Sequence, residues 1–183
     1  QATVRTRNSV IGALAVRRGD ADAMICGVVG RYARQLQYVD DIIGRRPGVE
    51  NLCAIQVLVA PRGTVFFADT NVNYDPTAAQ IAETAILAAA SVQRFGLEPK
   101  VALLSHSNFG THHNPSAGKM REALALIKAR ALDLEVEGEM QGDAALSEIV
   151  RDRVFPESGL KGSANLLIFP NVDSANIAFT VAR

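Results

Sequence analysis

The residues best suited to chemistry crowd into one stretch, Ser105-His-Ser-Asn-Phe-Gly-Thr-His-His-Asn-Pro-Ser116. Ser105, Ser107, Asn108 and Thr111 supply hydroxyl and amide groups just before a helix expected to open near Ser116. Such a stretch can offer donors to a phosphate or a carbonyl oxygen. It is not a P-loop, because no Gly-Lys-Ser or Gly-Lys-Thr follows. His106, His112 and His113 are all the histidines of the chain. No helix or strand spacing orders them and no acidic residue stands beside them. A metal site is therefore the poorest of three readings, behind a ligand-facing loop and an ordinary polar turn.

Three further places carry polar chemistry. Glu137, Glu139 and Asp143 fall close together, either as paired carboxylates for acid/base work or ion binding, or as caps for a helix beginning near Asp143. Arg31 and Arg34 follow Gly30 at an expected helix start. They suit a phosphorylated ligand, or stand as two solvated arginines on an outer helix face. Asp69 and Asn73 follow an apolar run, where a side chain can reach a site or simply organise the loop. Asp75 before Pro76 reads as a helix N-cap.

The elements that must position these groups alternate along the chain. Val4 to Arg18 has helical periodicity and Gly19 as a stop. Ala23 to Val29 is a short apolar run suited to a central strand covered on both faces. Arg31 to Gly44 predicts an amphipathic helix with Leu36, Val39, Ile42 and Ile43 on one stripe. Leu52 to Ala60 and Thr64 to Ala68 flank Pro61-Arg-Gly63 as a β-hairpin. Helices are expected from Pro76 to about Phe95, Ser116 to Ala131, Asp143 to Arg153 and Asp173 to Arg183. Strands are expected at Val101 to Leu104, Leu134 to Gly138 and Ala164 to Phe169. The order predicts an α/β fold, a mainly parallel sheet flanked by helices with one antiparallel hairpin. Ligands of such sheets sit beyond the carboxyl ends of the strands.

Composition excludes more than it assigns. The 183 residues carry 19 basic and 19 acidic side chains, so nothing points to nucleic acid or to an anionic membrane surface. No apolar run reaches the roughly 18 residues needed to span a bilayer. Cys26 and Cys53, each in an apolar run, read as buried reduced thiols. No secretory signal opens the chain, and a cytoplasmic setting is expected. The chain opens near a helix start and stops within one, as a fragment of something larger would.

Five phrases, in order over almost the whole chain, resemble the phosphate acetyl/butyryltransferase family. They are IGALAVRRGDADAMICGVVG (Ile11 to Gly30), FADTNVNYDPTAAQIAE (from Phe67), VALLSHSNFG, EVEGEMQGDAAL and GSANLLIFPNVDSANIAF. The wording of ICGVVGRY, RPGVENLCA and LKGSANLLIFPNVDSANIA is similar to the C-terminal transacetylase-like domain of large bacterial NADP-dependent malic enzymes. The resemblance implies an isocitrate/isopropylmalate dehydrogenase-like architecture of two lobes with a cleft, in a homo-oligomer that is at least a dimer. It also implies that residues 1–183 are one such domain, lacking the family's N-terminal and C-terminal portions.

The departures from the family pattern matter. Active members usually carry a Gly-Ala-x-His-Ser/Thr-Thr-Ala-Asp phrase after the first strand. The matching stretch from Gly27 to Arg34 is GVVGRYAR, with Gly30, Arg31, Tyr32 and Arg34 at the positions of the histidine, hydroxyls and carboxylate. The resemblance thus implies a regulatory acetyl-CoA-binding domain that no longer turns over. Its parent would convert malate to pyruvate and CO2 with NADPH, NADP and a divalent metal (Mg or Mn) lying in domains outside this chain. Arg31, Ser105, Ser107, Asn108, Thr111 and Asp143 are its expected cleft residues, with acetyl-CoA as effector and no metal or cofactor of its own. An active phosphate acetyl/butyryltransferase and a dimerisation module without ligand stay open as alternatives.

Overall fold

The computed structural model describes residues 7–27, 29–61 and 63–183. The chain divides into two compact units, Gln1–Glu50 and Asn51–Arg183. In the first, helix α1 (Asn8–Arg18) stops at Gly19, whose left-handed backbone lets its N–H reach the carbonyls of Ala15 and Val16. Helix α2 (Tyr32–Ile42) keeps the expected stripe of Leu36, Val39 and Ile42 half-buried. Arg17 donates to the Ile42 carbonyl at 2.8 Å and ties the two helices together.

The expected central strand from Ala23 to Val29 is not there. Residues 23–27 are irregular and Ile25 is fully exposed. A strand needs a neighbouring ladder for its N–H and C=O groups, and the described residues of this unit hold helices and no strand. Val28, Val4 and the rest of the first six residues lie outside the described residues.

The second unit is built on a five-stranded sheet: β1 (Ile55–Ala60), β2 (Gly63–Ala68), β3 (Lys100–Leu104), β4 (Glu135–Met140) and β5 (Leu166–Ile168). The order is β1-β2-β5-β3-β4. The hairpin pair β1–β2 is antiparallel and every other pair is parallel, as the alternation of elements predicts.

Two-residue alternation puts Phe66, Val101, Leu103, Leu166 and Ile168 on one face of this sheet. There they meet α3 (Ala78–Arg94) and α4 (Pro115–Arg130). The buried stripe of α3 is mostly alanine (Ala82, Ala85, Ala88, Ala89), so its backbone lies close against its neighbours. Phe67, Ala102, Leu104 and Leu167 face the other way. They pack with α5 (Gly142–Leu146) and α7 (Val172–Ala182). Both faces are covered, as parallel sheets require.

One helix differs from expectation. The segment from Asp143 to Arg153 is two helices, α5 and α6 (Glu148–Val154), because Ser147 is extended and accepts from the Val150 N–H as a new N-cap. Below the break lies Arg151, fully buried, donating to the carbonyls of Ala144, Leu160 and Gly162 at 3.0, 2.9 and 2.8 Å. A guanidinium fork thus serves two buried carbonyls and one part-buried one. At Gly138 (φ +153°) an added Cβ would lie 2.7 Å from the Leu103 carbonyl oxygen and 2.8 Å from its Cβ.

Gly138→Ala is expected to lower stability to urea by about 3 kcal/mol or more, combining overpacking against backbone with an unfavourable φ. Arg151→Ala is expected to cost about 3–5 kcal/mol in the same assay, because two buried carbonyls and the part-buried Gly162 carbonyl lose their donor together.

Candidate functional site

The carboxyl ends of β2, β3, β4 and β5 open onto Asp69, Ser105, Gln141 and Phe169. Among the helices that start on this side of the sheet, three are capped by a side chain. Thr77 caps α3 in a reciprocal capping box with Gln80, Asn114 caps α4 and Asn171 caps α7. Asp75 is not the cap of α3. Its carboxylate lies 2.6 Å from Lys119 Nζ and stands largely in solvent; Thr77 wins the cap because Gln80 completes the box. Thr77, Ser116, Lys119 and Asn171 line an open hollow of about 420 Å³, together with Asp75 and two prolines. Helix starts and an ammonium group give it a positive potential, which Asp75 offsets.

The 105–116 stretch is fastened to β4. Asn108 Oδ1 accepts from the Gln141 N–H at 2.8 Å, and its Nδ2 donates to Gln141 Oε1 at 3.1 Å. Gln141 Nε2 donates to the His106 carbonyl at 2.9 Å. Ser107 is fully buried and donates to Glu139 Oε1 at 2.7 Å. It accepts from the His112 N–H at 3.1 Å and pairs with the Thr111 hydroxyl at 3.2 Å. Ser105 Oγ accepts from the Ser107 N–H at 3.2 Å. The structure thus brings Ser105, Ser107, Asn108 and Thr111 together. The side chains of Ser107 and Asn108 are taken up in bonds to Glu139 and Gln141. Ser105 keeps its hydroxyl proton free among the described residues.

The other expected groups lie elsewhere. Asp143 is exposed, and its carboxylate accepts from the Ala144 N–H at 2.8 Å, within the first turn of α5. Arg31 stands exposed in the first unit, just before α2. The three carboxylates do not form one group. β4 runs two residues past its expected end and takes Glu137 and Glu139 into the sheet as buried residues. Glu137 accepts from Lys128 Nζ at 3.3 Å and the Gly159 N–H at 3.2 Å. Asp69 is also buried. It accepts from the N–H groups of Ala54, Asn71, Val72 and Asn73 and from Asn73 Nδ2, so both candidate residues of that loop serve its turn.

The sequence reading missed Arg121 and Lys119 as organisers of this end, and it named Glu139 for acid/base work, ion binding or helix capping instead of for holding the loop. Arg121 donates to Glu139 Oε1 at 3.0 Å and to the His112 carbonyl at 3.3 Å. A signal existed in Lys119 and Arg121, two residues apart on the helix that follows the loop. The histidines form no metal cluster, nor does any group of three His, Cys, Asp or Glu among the described residues. His106 Nε2 takes a hydrogen bond from Asn114 at 2.6 Å instead.

Both cysteines are free, but they are not alike. Cys26 is exposed, against the expectation of a buried thiol, because its apolar run joins no sheet. Cys53 is part-buried. Burial pushes its thiol from 9.0 up to about 11, the Asp69 and Glu83 carboxylates add to the rise, and a hydrogen bond with Thr84 opposes it.

A family model described as phosphate acetyl/butaryl transferase matches residues 1–183. The chain belongs to that family. It is 55% identical over 180 residues to the NAD-dependent malic enzyme of Rhizobium meliloti (strain 1021), covering 98% of this chain and 23% of the relative. It is 51% identical over 175 residues to the NADP-dependent malic enzyme of Escherichia coli (strain K12), covering 96% and 23%. The chain thus spans about a quarter of the length of these relatives. Among solved structures, a phosphotransacetylase from Streptococcus pyogenes matches with a TM-score of 0.89 and 32% identity over 95% of this chain and 54% of that one. The phosphate acetyl/butaryl transferase fold accounts for the mostly parallel sheet with its single antiparallel pair. No helix among the described residues is long and apolar enough to cross a membrane.

Thiol titration checks the local chemistry. At pH 8 the raised Cys53 holds about a hundredfold less thiolate than an ordinary thiol. An aromatic disulfide reagent is expected to modify Cys26 quickly and Cys53 slowly, and Cys26→Ser should leave only the slow phase. The folded thiol lies above its unfolded value, so its stabilising contribution is full below pH 9 and fades between about 9 and 11.

Proposed function

We propose that this chain is a regulatory, acyl-CoA-binding domain of a malic enzyme and does not itself transfer acyl groups. The observation that carries the reading is the difference in identity: 55% and 51% to two malic enzymes, against 42% to the phosphate acetyltransferase of Paracoccus denitrificans. In this reading the parent oxidatively decarboxylates malate to pyruvate and CO2 and reduces NADP to NADPH. NADP and a divalent Mg or Mn ion are held by domains outside these residues. The parent is a cytoplasmic homo-oligomer, at least a dimer.

Transacetylase chemistry brings the CoA sulfur and phosphate to one acyl carbon, so losing the groups that orient them removes turnover and leaves binding. Gly30, Arg31, Tyr32 and Arg34, which differ from the family phrase, are all exposed. In the second unit the Ser105 hydroxyl supplies a donor, Ser107, Asn108 and Thr111 hold the loop that presents it, and Asp143 follows Gln141 as a further ligand contact. In the first unit Arg31 offers charge to a phosphate. Acetyl-CoA is the effector. It acts by binding the active and inhibited states of the parent with different affinity, since equal affinity shifts nothing.

Calorimetric titration of acetyl-CoA in phosphate buffer into the full natural polypeptide tests this. The expected result is saturating heat without acetyl phosphate. Sustained heat with accumulating acetyl phosphate identifies a working transacetylase, and no heat with an intact dimer identifies a dimerisation module. Malate oxidation, assayed with NADP and NAD separately, should fall as acetyl-CoA is added. Arg31→Ala should raise the concentration for half-inhibition roughly tenfold, the size of one charge-assisted contact; unaltered inhibition removes Arg31 from the site.

A further inference from the structure

One buried carboxylate oxygen gathers three donors at the proposed ligand loop. Glu139 is fully buried, and its Oε1 receives three donors: Ser107 Oγ at 2.7 Å, the Gly110 N–H at 3.0 Å and Arg121 Nη1 at 3.0 Å. Its backbone carbonyl takes the Phe109 N–H at 2.7 Å. One residue of β4 therefore addresses the loop at positions 107, 109 and 110.

Counting protons shows how far its influence runs. Ser107 has one hydroxyl proton, and it goes to Glu139. Toward Thr111 it can then only accept, so Thr111 donates to Ser107. Thr111 Oγ1 also accepts from the Asn108 N–H at 3.1 Å. With its own proton committed, it must receive the third contact from His112 Nδ1, 3.2 Å away. A chain of donors runs from His112 inward and ends on Oε1 of Glu139. Arg121 completes the frame by holding the His112 carbonyl and Glu139 together.

We infer that Glu139 is a positioning residue that sets the Ser105–Thr111 loop for contact with ligand, acting through Ser107, Gly110 and Arg121 and touching no ligand itself. The inference rests on the acyl-CoA reading of this loop. It separates two kinds of residue within the candidate set: Ser107, Asn108 and Thr111 form the frame, and Ser105 faces the ligand.

The test uses Glu139→Ala, Glu139→Gln and Ser107→Ala in the full natural polypeptide, at a temperature where unfolding curves show each variant folded. Amide hydrogen exchange reads the loop without ligand. In Glu139→Ala the amides of residues 107–112 should exchange at least about tenfold faster relative to those of Val101–Leu104, since a lost charge-assisted bond is worth about that factor. Glu139→Gln keeps an acceptor and should restore protection to within about threefold. Acetyl-CoA calorimetry on the same samples should show affinity weakened about tenfold in Glu139→Ala and Ser107→Ala, and largely recovered in Glu139→Gln. Wild-type exchange in the folded Glu139→Ala loop overturns the inference, as does wild-type affinity despite a loosened loop. Absence of acetyl-CoA binding by the unsubstituted protein overturns the acyl-CoA reading instead, and exchange alone then decides whether Glu139 positions the loop. If Glu139→Ala does not fold, Ser107→Ala, which removes only the hydroxyl link, carries the same two readouts.

Discussion

Strand β3 is hydrogen-bonded on both edges and covered on both faces. It pairs with β5 on one side and β4 on the other, and Val101, Ala102 and Leu103 are wholly buried. Such a strand leaves no room for functional groups along its length, since each polar side chain placed there would need a buried partner. Chemistry is displaced to its carboxyl end, where Ser105 begins the loop. The same logic applies to β5 and to the inner half of β2. The hairpin strand β1 is the exception. It runs the other way at the sheet edge, and the Ala54 N–H just before it reaches the Asp69 turn.

Because the core is closed, three charged side chains drawn into it each make several hydrogen bonds. Asp69 collects N–H groups, Arg151 serves carbonyls, and Glu139 combines two N–H or O–H donors with a guanidinium. Each closes a segment that secondary structure alone would leave unpaired: a turn, a broken helix and a loop. A lone charge buried in the same place would be expensive, and the multiple hydrogen bonds offset that expense. The consequence is stiffness at three chosen places in a sheet-and-helix frame that periodicity already specifies.

That division explains what could be read from the sequence. Elements with long, strongly periodic patterns were legible: the helices at Ala78–Arg94 and Pro115–Arg130, the hairpin, and the parallel strands near residues 101 and 166. The failures share a physical cause. The run from Ala23 has the apolar character of a strand, but strand formation needs a neighbour that local sequence does not name. Asp75 is a good cap in isolation and loses to Thr77 through the partner at Gln80. Gly138 reads as punctuation, and so conceals a strand that continues through Glu139 because the Leu103 backbone needs an approach no Cβ allows. The candidate loop was visible from composition alone. Which of its hydroxyls face inward was not, since that depends on a carboxylate thirty residues away in sequence.

The frame around Glu139 also bears on how a sensor can descend from a transferase fold on the proposed reading. Turnover demands that two reactants and several protein groups meet within tenths of an ångström, whereas binding tolerates the loss of some of them. Substitutions at Gly30, Arg31, Tyr32 and Arg34 fall on an exposed segment of the first unit, where they disturb no core packing. The loop frame in the second unit keeps a linked hydrogen-bond network, each member of which stabilises the next. Change is inexpensive at the first place and costly at the second. A lineage released from catalysis would therefore alter the exposed segment first and keep the loop that recognises ligand, because that loop is bound to the stability of the sheet itself.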